Sequence, residues 1–276
     1  MDLHIVRTIL HNEFREAVRN RWFVLCAAIF GVLALALSYL GLSGLGTFGV
    51  AGFGRTAASL LHLIMVIVPL MGLLIGALSV AGEREHGTLL TLLAQPVTPT
   101  EVLLGKFAGS ASALTASLLI GFGASGAVIA RYGGMSHVGG YAALVLFTLL
   151  LGLAHVAIGF CVSVVTRRAS TALGLALGCW LVLVFLSDLG LMGTAMVLRL
   201  APGELLWASL ANPSQAFKLG VLQAMHGTVD VLGPSGRYAA DVLGQRLLPV
   251  MAALLAAWIL VPMGVALRIF TRRGAV

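Results

Sequence analysis

Ser125 sits in Gly123-Ala-Ser-Gly126, inside a long apolar run, and a serine flanked by glycines is a candidate nucleophile. It could act only with a base within hydrogen-bond reach. His62 and His155 are the histidines that lie inside apolar runs, and neither stands in a context that supplies one. The sequence therefore predicts that Ser125 bonds to backbone in a close helix contact, and that His155 makes a satisfied contact in the helix interior. A second constellation is soft: Met135, Met192, Met196 and Met225 lie between apolar runs together with His137 and His226. Thioether and imidazole suit Cu(I), and Met192 and Met196 share one helix face. Adjacent Met225 and His226 would point apart, so apolar packing is the expectation and no metal is assigned to this chain. Cys26, Cys161 and Cys179 fall within apolar runs without paired spacing and read as small buried hydrophobes.

The densest polar constellation runs from Ala81 to Lys106. Glu83, Arg84 and Glu85 would be costly in lipid, which puts them at or beyond the membrane surface. Leu89, Leu90, Leu92 and Leu93 then give one side of a short helix an apolar character, with Thr88, Thr91 and Gln95 more polar. Pro96 ends that helix and Pro99 keeps the chain turned. A helix of about two turns lying parallel to the membrane and tied to two spans would act as a lever.

These residues resemble the first cytoplasmic loop of type-2 ABC transporter permeases. The match is carried by Glu83, Arg84, Glu85, Gly87, Thr88, Leu89, Pro96, Val97, Gly105 and Lys106. The chain departs from the family where Thr98-Pro99 replaces a common Ser-Arg. The resemblance implies that the loop is a coupling helix docking into a groove of an ATPase subunit, with Glu83, Arg84, Glu85, Gly87, Thr88, Leu89, Pro96 and Lys106 as its coupling residues. It also implies two permease chains with two ATPases. Asn212-Pro213 followed by Phe217-Lys218, with the length and span plan, is similar to the branch of the family that serves maturation of nitrous oxide reductase, a copper–sulfur enzyme. That similarity makes Asn212, Pro213, Phe217 and Lys218 candidates for contact with a periplasmic partner.

The elements that must position these residues follow from composition. Charged residues make up 10% of the 276, against about 25% in soluble domains, and the mean hydropathy is +1.04. The fold class is an all-α integral membrane protein. Six runs can each cross a hydrocarbon core: Trp22–Leu42, Leu60–Ala81, Phe107–Ala130, Tyr141–Thr166, Ser170–Ser187 and Leu247–Leu267. Residues 1–21 carry Leu3, Val6, Leu10, Phe14 and Ala17 on one helical face and Arg7, His11, Arg15 and Arg19 on another. This reads as a cytoplasmic interfacial helix, which the resemblance makes similar to the family's elbow. Residues 22–276 form a six-span permease domain, with coupling loop 82–106 and an outer segment 188–246. Gly41–Gly54 reads as an outer loop. Leu189–Leu198 reads as interfacial, and Asn212-Pro213 as an N-cap and first helical residue starting a short outer-face helix.

The net charge of +7 is a topology signal rather than a nucleic-acid footprint. With the N-terminus inside, Arg7, Arg15, Arg19, Arg21, Arg84, Lys106, Arg167, Arg168, Arg268, Arg272 and Arg273 collect on the cytoplasmic side, and the short outer loops keep only Arg55 and Arg131. Both termini are then cytoplasmic in a bacterial inner membrane. The chain has no Gly-x4-Gly-Lys-Ser/Thr sequence, so ATP and Mg belong to a partner ATPase and this chain is not itself an enzyme. The expected partners are that ATPase, a second permease copy, a periplasmic protein and membrane lipid.

Three rivals remain. One is an exporter permease for another small solute or lipid. Another is an intramembrane serine protease, since Gly123-Ala-Ser-Gly126 matches the motif of rhomboids; these take a histidine from their sixth span, where this chain has none. The third, a self-powered transporter, would want an acidic residue in mid-span, and there is none.

Overall fold

A computed structural model describes residues 3–43, 50–132, 138–187, 202–225, 238–239 and 241–273, and all the elements among them are helical. The predicted stripe forms α1 (Leu3–Arg19), which breaks at Asn20. Asn20 Oδ1 accepts from the amides of Trp22 (3.0 Å) and Phe23 (3.3 Å), capping α2 (Arg21–Ser43). The next helix, α3, runs from Val50 to His86 and carries Pro69 inside it. It is followed by α4 (Thr88–Leu93), α5 (Pro99–Tyr132), α6 (Val138–Val165) and α7 (Ala169–Trp180). Six of the helices are long and apolar enough to cross a membrane, so the chain is a multi-pass membrane protein.

α3 and α6 form the centre. A methyl group on Gly76 would lie 2.4 Å from Val156 O, and one on Gly159 would lie 2.7 Å from Leu73 O, so the two backbones touch. Ser163 Oγ accepts from the amides of Val80 (2.9 Å) and Ala81 (2.8 Å), joining the same pair further along. The apolar stretch of α3 is 67% buried, against 22% for α2 and 17% for α7. The outer helices therefore turn much of their leucine and valine surface away from the protein, as lipid-facing spans do.

Two boundaries differ from the sequence reading. α3 begins at Val50, inside the segment read as the loop Gly41–Gly54, and continues to His86. Glu83, Arg84 and Glu85 belong to its last turns, because each finds a partner on another helix and the helix need not stop at the end of its apolar run.

The second correction concerns the far end, opposite α1. α8 (Pro202–Leu210) and α9 (Pro213–Ala224) do not simply cap the bundle. A methyl on Gly140 would meet Met225 at 3.6 Å and one on Gly220 would meet the Phe147 ring at 2.3 Å. Gly140 and Phe147 are about 10 Å apart along α6, so α9 runs antiparallel beside the end of α6 and its N-terminus points into the bundle. It also packs against α10 (Leu247–Arg273), which a 3-10 turn at Gly244–Arg246 introduces. Pro213–Phe217 is buried. Twelve residues cannot span a bilayer, so a buried helix of this length enters the bundle without crossing it. Leu189–Leu198, Met135, His137, Met192, Met196 and His226 lie outside the described residues.

Candidate functional site: the α3–α4–α5 junction

Consecutive residues of a helix point about 100° apart, and the last turns of α3 use this to reach three different neighbours. Glu83 Oε1 accepts from Lys106 Nζ on α5 at 2.9 Å. Arg84 Nη1 donates to the carbonyls of Val164 (3.1 Å) and Thr166 (2.6 Å), where α6 runs out of its own donors. Glu85 Oε2 accepts from the Ala169 amide at 2.7 Å, on the N-terminal turn of α7. The cation lies at a helix C-terminus and the anion at a helix N-terminus, the sense that each helix dipole favours.

Lys106 is 1% exposed and is held from the other side by Glu13 of α1. Glu13 Oε1 also accepts from Ser79 Oγ (2.6 Å, α3) and Ser110 Oγ (3.3 Å, α5). α1 can come this close because small residues face it: a methyl on Gly109 would lie 2.6 Å from Glu13 Cβ, and one on Gly105 would lie 2.8 Å from Ile9 Cβ. The Gly105-Lys106 pair thus has one physical reading, close approach of α1 beside a buried cation. Glu13 was not among the residues singled out from the sequence. Its signal was available as an acid on the apolar side of the α1 stripe.

A cleft of about 460 Å³ opens beside this network, lined by Glu13, Glu16, Glu83, His86, Asn20 and Ala169 among others. Carboxylate oxygens of Glu13, Glu16 and Glu83 lie within 4.8 Å of one another, the donor type that hard cations take. Lys106 already occupies Glu13 and Glu83, so no metal is assigned there.

Gly87 has φ +76°, a left-handed conformation that glycine adopts without strain, and it turns the chain from α3 into α4. On α4, Leu89 is buried and Leu90 is 61% exposed, with Thr88, Thr91, Gln95 and Pro96 also exposed. Leu92, Leu93 and Val97 pack against the core. α5 then opens on a reciprocal cap: the Thr98 amide donates to Glu101 Oε2 (2.9 Å) and the Glu101 amide to Thr98 Oγ1 (3.3 Å). This Thr-Pro-Thr-Glu box was legible but unread; it occupies the departure from the family pattern at Thr98-Pro99.

The structure thus divides the expected coupling residues. Glu83, Arg84, Glu85 and Lys106 are bonded to other helices of the chain, Glu85 from an exposed position, whereas Gly87, Thr88 and Pro96 sit on the exposed side of the turn and Leu89 anchors it.

A profile of the ABC-2 family transporter proteins matches residues 7–275. The chain belongs to the ABC-2 transporter family. "Probable ABC transporter permease protein NosY" of Stutzerimonas stutzeri is 33% identical over 278 residues, covering 97% of this chain and 98% of that protein. A protein of the same name from Pseudomonas aeruginosa is 33% identical over 221 residues, covering 78% and 80%.

In this ABC-2 permease the far-end residues are likewise internal. Asn212 is 6% exposed, Pro213 is buried and Phe217 is fully buried, leaving only Lys218 of the four partly exposed. Ser125 is fully buried and its hydroxyl donates to Gly121 O of its own helix at 2.9 Å. His155 Nδ1 bonds Leu151 O at 2.8 Å, and His62 is exposed. Met225 packs with Ile129 and Tyr141.

Proposed function

We propose that this chain is the permease subunit of an ABC complex in which a separate, NosF-like ATPase docks on α4 and drives the spans, with ATP and Mg held by that partner. α4 would be the coupling helix, and the junction beside it would face the cytoplasm of a bacterial inner membrane together with both termini. A second copy completes the complex. The observation that carries this reading is mechanical: the helix leading into α4 is bonded through three successive residues to α5, α6 and α7, while Leu90 and its polar neighbours stay uncovered. A push on α4 would reach four spans at once. The narrower assignment, service to copper–sulfur cluster maturation of nitrous oxide reductase beside a NosD-like periplasmic protein, rests on the resemblance at Asn212-Pro213 and Phe217-Lys218, and the relatives' name, ABC transporter permease protein NosY, agrees with it.

The experiment is copurification with a co-expressed NosF-like ATPase. Leu90→Asp should abolish retention of the ATPase while the permease keeps its melting temperature. If Leu90→Asp complexes assemble and hydrolyse ATP like wild type, docking on α4 is wrong. Deleting the chain should leave nitrous oxide reductase without its copper–sulfur cluster; normal cluster content would leave the ABC reading standing and remove the maturation role.

A further inference from the structure

At the far end of α7 the helix widens. Leu181–Leu186 is π-helical, closing with the Ser187 amide on Val182 O. Such turns carry one residue more than the α-helical repeat and are frequent at functional positions. Two donors converge on one carbonyl of this turn: Ser187 Oγ, four residues on in the same helix, donates to Leu183 O at 2.8 Å, and Asn212 Nδ2 donates to it from outside at 2.6 Å. The second Asn212 Nδ2 hydrogen donates to Ser187 Oγ at 2.6 Å, closing the triangle. The other end of the same amide, Oδ1, accepts from the Ser214 amide at 2.8 Å and caps α9. One buried side chain therefore both starts α9 and fastens it to the widened turn.

The turn is also fastened at its near side. The Trp180 indole N–H donates to Val66 O of α3 at 2.9 Å, and its ring meets Phe185 edge-on with centroids 5.2 Å apart. Pro69 lies one turn on and cannot donate to Met65 O, which loosens α3 where the indole enters.

We propose that Asn212 is a positioning residue that makes the widened turn of α7 and the α8–α9 hairpin one moving body, so that movement of α3 arrives at the hairpin through Trp180. This rests on the coupling reading above for the source of the movement, but not for the latch itself. Asn212→Ser separates the two jobs of the amide: serine caps a helix about as well as asparagine but is too short to reach Leu183. Its melting temperature should fall modestly with the loss of two buried hydrogen bonds, whereas loss of the cap as well would lower it further.

The test places spin labels at Leu186 and Trp207, 56% and 73% exposed, in a cysteine-free background of the intact complex. In the wild type the distance should be narrow and identical with and without ATP. In Asn212→Ser it should broaden already without nucleotide and differ between the two states. Ser187→Ala, which removes one corner of the triangle without touching the cap, should broaden it partially and serves if Asn212→Ser does not fold. A wild-type distance that changes with ATP, or variants indistinguishable from wild type, overturns the proposal. If ATP moves no label, including one on α4, the coupling reading fails instead, while the nucleotide-free broadening still reports the latch.

Discussion

Glu83 Oε1 and Lys106 Nζ stand 2.9 Å apart across the α3–α5 junction, and the lysine side chain is 2% exposed. With Glu13 on its other side, the lysine ties α1, α3 and α5 together away from water. Removing one member of a buried ionic group leaves the rest uncompensated, at about 3–5 kcal/mol. Lys106→Met should therefore destabilise the chain by roughly that amount, because two carboxylates are left facing each other. Glu13→Gln combined with Lys106→Met should recover part of the loss. Thermal unfolding in detergent measures both; additive losses in the double variant would show that the three groups are not coupled.

Arg84→Gln should loosen the end of α3 from α6. Hydrogen bonds made by a charged group contribute about 1.5–3 kcal/mol each in favourable cases. The expected outcome is a complex that still binds its ATPase but hydrolyses ATP with weakened dependence on the permease. Loss of ATPase binding itself would instead return Arg84 to the docking surface.

Gly76→Ala should be severe, since the added methyl meets backbone at 2.4 Å, and backbone cannot rotate away as a side chain can. Overpacking costs about 1–3 kcal/mol or more. Gly31→Ala is the matched control on α2, with nothing within 4 Å of the added carbon. There the higher helix propensity of alanine should stabilise slightly. Melting temperatures that move equally would mean that the α3–α6 contact is slack.

Ser125→Ala should leave cluster maturation and ATP hydrolysis unchanged. Its hydroxyl donates to a carbonyl of its own helix, a bond contributing about 1 kcal/mol. Complete loss of function in a folded Ser125→Ala protein would reopen the nucleophile reading.

The six spans and the short helix after Gly87 were legible because apolar length, glycine and proline are local signals. Asn212-Pro213 was legible as a helix start for the same reason, and the cap is there. Its depth was not, because burial of a 12-residue helix depends on Phe147 and α10, far away in the chain. The charges misled in an informative way. Glu83, Arg84 and Glu85 look like a solvent-facing cluster, yet each finds a partner at least 23 residues away in the chain: Lys106, Val164 and Thr166, and Ala169. Only the crossing of α3 with α5, α6 and α7 brings those partners within reach. Glu13 was not marked out as a site residue because the basic, amphipathic α1 also carries Glu16, and two acids there read as part of a polar face even though Glu13 lies on the apolar side of the stripe.

The contact of α3 with α6 has an implication for how such a permease can change over generations. Where Gly72, Gly76 and Gly159 bring backbone against backbone, there is no side-chain volume to trade. A larger residue on one helix could not be accommodated by a smaller one opposite. Adjustment to a thicker bilayer is therefore left to surfaces with volume to exchange, on α2, α7 and α10. The central pair is the part of the molecule that variation can reach least.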